Sequence, residues 1–168
     1  MELPIFPLNG AVLFPETSLP LNIFEGRYIE MVDYALARKR CIGMIQTDEN
    51  NNLYNIGCIG KIHSFNETND GRYLISLKGI KCFKIINELD KDFNFRLVNY
   101  ETISEDRNFF EINEIQKNEL LSKYEKYIKA KNINISLDEI KGIEISQLIK
   151  FIAMISPFKN EDKQILLE

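Results

Sequence analysis

Tryptophan is absent from this 168-residue chain, histidine occurs once and cysteine three times. With His63 as the single histidine, no histidine cluster is available to hold a metal ion, and no acid or nucleophile is arranged around it for triad chemistry. Cys41, Cys58 and Cys82 lie far apart in apolar segments, with no Cys-x-x-Cys pair, so they read as buried free thiols. No apolar run approaches the roughly 18 residues that cross a bilayer, and a start containing Glu2 and prolines is not a signal peptide. A cytoplasmic protein is expected. Cationic excess is missing too: 21 Lys and Arg stand against 25 Asp and Glu, for a net charge of −4. That balance disfavours general affinity for phosphate backbones, so nucleic acid is an unlikely partner. The nearest thing to a basic run, Arg38-Lys39-Arg40, reads as the solvated cationic end of a helix. A Gly-x-x-x-x-Gly-Lys-Ser/Thr phosphate loop is also absent. No catalytic residue, cofactor or metal is assigned.

An apolar fraction of 45% and a charged fraction of 27% describe an ordinary globular chain, long enough for one domain or two small subdomains around a shared core. Four of its five prolines fall in the first 20 residues, each beside large apolar side chains. That placement suits short edge strands broken at fixed points, because proline cannot donate to a ladder. From Glu25 to about Lys39, Tyr28, Met31, Val32, Ala35 and Leu36 recur on one helical face. Cys41–Gln46 is a compact apolar run. Residues 56–65 and 72–86 are two strands joined through Asp70-Gly71, a pair that favours a tight hairpin turn. Gly57, Gly60 and Gly79 interrupt those strands where the backbone must bend or be approached closely, which suggests a small barrel. Residues 93–102 supply a further strand. After about Glu105 the period becomes helical, through Ile112, Ile115, Leu120, Leu121, Tyr124, Tyr127 and Ile128. Ser136 and Glu139 have capping-box spacing, and a second helix covers about 144–155 before Pro157. Residues 160–168 read as another helix that stops as its apolar face begins, the pattern of a truncated helix or of one ending against other packing.

In order along the chain, Leu3-Pro4-Ile5-Phe6-Pro7-Leu8, Leu13-Phe14-Pro15, Leu19-Pro20-Leu21 and Phe24-Glu25-Gly26-Arg27-Tyr28 resemble the opening motif of Lon protease N-terminal domains. Ile56-Gly57-Cys58-Ile59-Gly60, the run from Asp70-Gly71-Arg72-Tyr73 through Lys78-Gly79-Ile80-Lys81-Cys82-Phe83-Lys84-Ile85, and Lys163-Gln164-Ile165-Leu166-Leu167-Glu168 are similar to later parts of the same family. The resemblance implies an α+β fold: a PUA-like six-stranded pseudobarrel with one inserted helix over residues 1–104, then a C-terminal helical subdomain over 105–168 that ends early in a further helix. It also implies a non-catalytic protein-binding module. In full-length Lon this part recognises substrate and assists assembly, while separate modules hydrolyse ATP and cleave peptides.

Binding unfolded or client proteins requires exposed apolar anchors rimmed by polar groups. Phe6, Phe14, Phe24 and Tyr28 occupy proline-broken or helix-entry segments and are the anchor candidates, although each is equally suited to a core. Glu25 and Arg27 flank the helix entrance, where they either contact a partner or pair locally. The expected partners are unfolded or client proteins, with self-association as a further capacity. An RNA-binding PUA-like module is the alternative, resting on Lys78, Lys81 and Lys84. Alternation along a strand prevents all three from facing one side.

Overall fold

The computed structural model describes residues 1–104, 113–133 and 142–168. Six strands and four helices follow in chain order: β1 (Glu2–Pro7), β2 (Ser18–Ile23), α1 (Gly26–Leu36), β3 (Cys41–Ile45), β4 (Ile56–Glu67), β5 (Tyr73–Leu89), β6 (Arg96–Thr102), α2 (Glu114–Ala130), α3 (Ile145–Ile155) and α4 (Asn160–Leu167). They form two compact units, one of Met1–Glu105 with Ala153–Glu168 and one of Asp106–Ile152.

In the first unit the strands make a pseudobarrel-like ring. β1 runs antiparallel to β6, with Leu3 opposite Val98, and parallel to β3, with Phe6 opposite Met44. β3 pairs with β4, β4 with β5, and β5 with β6, all antiparallel, which closes the circuit. β2 adds to the outer side of β5, with Leu21 opposite Ile75. Closure depends on β5 being 17 residues long: its first part serves β2 and β4, and its last part turns to β6. Slips in the β4–β5 ladder at Ile59/Gly60 and Ile62/Ser64 supply the extra twist that such a turn requires.

The hairpin between β4 and β5 turns at Gly71, whose φ of 78° is the left-handed conformation that glycine adopts without strain. Gly79 serves a different need. A Cβ there would lie 2.0 Å from the Phe14 carbonyl oxygen, so only a bare Cα lets the 14–17 turn lie against β5. The amide of Glu16 donates to Gly79 O at 2.9 Å and the amide of Gly79 to Thr17 O at 2.9 Å.

The prolines sit differently from the edge-strand expectation. β1 is an interior strand, but its first part pairs with β6 and its end with β3, so Pro4 and Pro7 each face a single partner strand. Pro20 does lie on an edge, in β2. Alternation from the Thr17–Gly79 bond places its missing N–H on the side away from β5, where no ladder bond is lost.

Two apolar clusters occupy opposite faces of β1 and β3. Leu3, Ile5, Ile45, Ile59, Phe83 and Val98 form one. The other gathers Phe6, Ile42 and Met44 beneath Met31, Val32 and Ala35 of α1, matching the helical stripe in the sequence. The helix is shorter than 25–39, because Arg40 takes a φ of 58° and its amide folds back to Ala35 O. Cys58 and Cys82 are buried, Cys41 is half-buried, and none of the three is in a disulfide.

The residues from Ala153 onward belong to the same compact unit as the barrel strands. Lys163 and Gln164 of α4 are the cause. Lys163 is buried and donates from Nζ to the carbonyls of Gly10 at 3.1 Å and Met154 at 3.3 Å. Gln164 donates to Ile56 O at 3.0 Å and accepts from Gln46 Nε2 at 3.1 Å. In the second unit, Asn113 and Gln116 form a reciprocal capping box at the start of α2, at 2.9 and 3.0 Å, and Tyr124 and Ile128 are buried. Ile112 and the Ser136–Glu139 box lie outside the described residues.

Two predictions follow from this packing. Gly79→Ala forces the 14–17 turn off β5, and urea unfolding should show a loss of about 3 kcal/mol, typical of overpacking against backbone. Burial lowers the Lys163 pKa. Between that lowered value and the ordinary lysine value of about 10.4, the unfolded chain binds more protons than the folded one, so the Lys163 contribution to stability rises with pH. Urea midpoints measured from about pH 8 to about pH 10 should show this rise in the parent relative to Lys163→Met. Parallel curves for the two proteins would refute it.

Candidate functional site

Where β2 ends at Ile23, the chain turns through Phe24 and Glu25 into α1 and leaves a hollow of about 310 Å³. Glu25 is the N-cap residue, with extended backbone at φ −79° and ψ 132°, and its carbonyl accepts from the amides of Tyr28 at 2.9 Å and Ile29 at 3.0 Å. Its side chain makes no cap. Instead the Glu25 carboxylate accepts from Arg27 Nε at 2.9 Å and Nη2 at 2.8 Å. The Arg27 guanidinium lies over the Tyr28 ring, 4.5 Å from its centroid, and the Phe6 ring meets Tyr28 from another side at 4.4 Å. Burial raises the Tyr28 pKa, with Arg27 opposing the shift, so the phenol stays a neutral hydrogen-bonding tip on an apolar wall.

Five of the six anchor and rim residues read from the sequence line this one hollow: Phe6, Phe24, Glu25, Arg27 and Tyr28. Their exposure divides them. Phe24 is 69% exposed at the rim, whereas Phe6, at 6%, is a wall packed into the core. Phe14 is elsewhere, buried with Val12 and Ala153, because the 14–17 turn that carries it is pressed onto Gly79. It offers no surface to a partner. Leu8 and Leu21, half-buried linings of the hollow, went unselected in the sequence. Their signal was available: Leu21 alternates with exposed Pro20 and Asn22 along β2.

The helix behind the hollow is held at several points. Tyr73 donates from its hydroxyl to Asp33 at 3.1 Å, and Asn94 donates to Glu30 at 2.7 Å. On β6, Arg96 grips Glu88 of β5 with two bonds of 2.7 and 2.6 Å. This geometry is that of a preformed apolar concavity with a polar rim, suited to holding a side chain. His63 is exposed on β4. Among the described residues, no group of three or more His, Cys, Asp and Glu side chains is placed to hold a metal ion. No helix among them is long and apolar enough to cross a membrane.

Comparison with known proteins agrees with the ring and its inserted helix. The chain is similar in structure to a Lon N-terminal domain protein from Xanthomonas campestris, with a TM-score of 0.71 and 21% identity over 100% of this chain and 90% of the other. It is similar also to the N-terminal domain of the Mycobacterium avium complex Lon protease, with a TM-score of 0.73 and 17% identity over 99% and 89%. In sequence it is 27% identical to the Lon protease of Brevibacillus choshinensis over 99% of this chain and 23% of that protein. The Lon protease of Halothermothrix orenii is 29% identical over 100% and 23%. The chain therefore spans less than a quarter of the length of these two relatives. The family described as the ATP-dependent protease La (LON) substrate-binding domain matches residues 2–168, and to that family the chain belongs.

Proposed function

We propose that this domain binds unfolded or otherwise exposed client proteins, seating apolar client side chains in the hollow at the N-terminal end of α1. The observation that carries the reading is Phe24: a large aromatic residue, 69% exposed, stands on the rim of a concavity whose walls are Phe6, Leu21 and Tyr28. An aromatic held out of the core loses burial that folding would otherwise gain, and a partner recovers it. Glu25 and Arg27 neutralise each other at the rim, so the hollow selects for apolar surface rather than for client charge.

Within this reading the domain works by binding and not by catalysis. It supplies clients to ATPase and peptidase modules carried elsewhere in a Lon-type protein. Three cysteines outside disulfides are consistent with a reducing, cytoplasmic setting.

The test uses a destabilised client, with complex formation followed by fluorescence anisotropy and client aggregation by light scattering. Phe24→Ser is expected to weaken the complex by about 2 kcal/mol, roughly thirtyfold, with an unchanged melting temperature, because the side chain is an exposed anchor. Leu21→Ser should weaken it in the same direction. Unchanged client affinity in both variants would overturn the proposal.

A further inference from the structure

A second hollow, of about 300 Å³, opens near the C-terminal end of α1. Leu3, Pro4, Tyr34, Ala35 and Tyr100 supply apolar wall, and half-buried Cys41 also lines it. Glu2 is the one carboxylate in that lining, and Lys91 holds it at 2.6 Å. The Arg38 guanidinium is spread over Tyr34, 3.6 Å from the ring centroid, and donates to Tyr34 O at 3.2 Å. Arg38 thus closes the helix end, as the sequence suggested for the whole basic run.

The other cations of that run do something else. Lys39 and Arg40 lead into β3, where Cys41 stands opposite Lys61 of β4, and Lys61 stands opposite Lys78 of β5. Strand spacing of about 5 Å makes this a row roughly 10 Å long beside the hollow. Lys39, Arg40, Lys61 and Lys78 make no ion pair among the described residues; the Lys78 ammonium donates to the backbone carbonyl of Glu16. Two lysines directly opposite each other weaken a ladder. Lys78 holds the 14–17 turn through the Glu16 carbonyl, but folding gives no reason for Lys61 opposite it, and a chain of net charge −4 does not need Lys61 for solubility.

We propose that this hollow and its cationic row bind an acidic polypeptide segment that carries an apolar residue. The apolar side chain enters between Tyr34 and Tyr100, while flanking carboxylates lie along Lys39, Arg40, Lys61 and Lys78. Charge complementarity is local. A chain of net charge −4 disfavours an extended polyanion, whereas a short acidic segment anchored in the hollow meets only the row. This surface is separate from the Phe24 hollow. The eleven residues of α1 stand between them, about 16 Å at the helical rise.

The probe is a short synthetic peptide with a central Phe flanked by Asp and Glu, compared by anisotropy with its Lys-flanked and Ser-centred counterparts. The acidic Phe peptide is expected to bind about tenfold tighter than either, and to weaken as salt rises. The double variant Lys39→Ser, Lys61→Ser should lose about tenfold of that affinity without a lower melting temperature, since both side chains are exposed and neither makes an ion pair among the described residues. Lys61→Glu should shift preference toward the Lys-flanked peptide. Equal binding of the three peptides, unchanged affinity in the double variant, or an oligonucleotide that matches the acidic peptide would overturn the proposal. So would loss of binding in Phe24→Ser with none in the double variant, which would assign the peptide to the other hollow.

Discussion

β5 hydrogen-bonds to three different strands, and the barrel unit exists because it can. A strand of ordinary twist presents two edges to two neighbours along its whole length. Here the far part of β5 releases β2 and takes β6, which returns the sheet to β1. The change of partner requires a place where the ladder slips and where another segment can lie against the strand without a side chain in the way. Gly79 is that place, and the 14–17 turn fills it. Through that contact the turn fixes the entry to β2, β2 fixes Phe24, and Phe24 stands at the mouth of the hollow. The candidate site is thus held by the strand that closes the ring.

Much of this was legible in the sequence where the cause is local. Asp70-Gly71 between two apolar runs announces a hairpin because the backbone conformation of the turn is a property of those residues. The stripe through Met31, Val32 and Ala35 announces a helix face in the same way. The six anchor and rim residues were chosen for lying near strand ends and a helix entrance, and five came together for that reason. Phe14 escaped the reading. Its side chain has the same chemistry as that of Phe24, and its burial is decided by a glycine on another strand. The seating of α4 is likewise invisible locally. Lys163 and Gln164 look like the wet face of a helix until the carbonyls of Gly10 and Ile56 are brought to them by the fold.

Both hollows draw on α1, and they differ in how their charge is arranged. At its N-terminal end the rim charges satisfy each other across two residues, so apolar contact dominates. At its C-terminal end Arg38 is spent on the helix, while Lys39 and Arg40 make no ion pair among the described residues, so the surface carries a net field. One amphipathic helix, clamped to the sheet through Asp33 and Glu30, therefore borders two concavities with differently arranged charge.

β2 borders the first hollow and, among the described residues, pairs only with β5. A client held there in extended form could add itself as a further strand, and a second client could add to the first. Pro20 interrupts that possibility at the middle of the edge by presenting no donor. Capture at such an edge stays a matter of side chains entering a cavity, which is reversible one residue at a time. On the proposed function, Pro20 keeps the domain from becoming the seed on which captured chains polymerise.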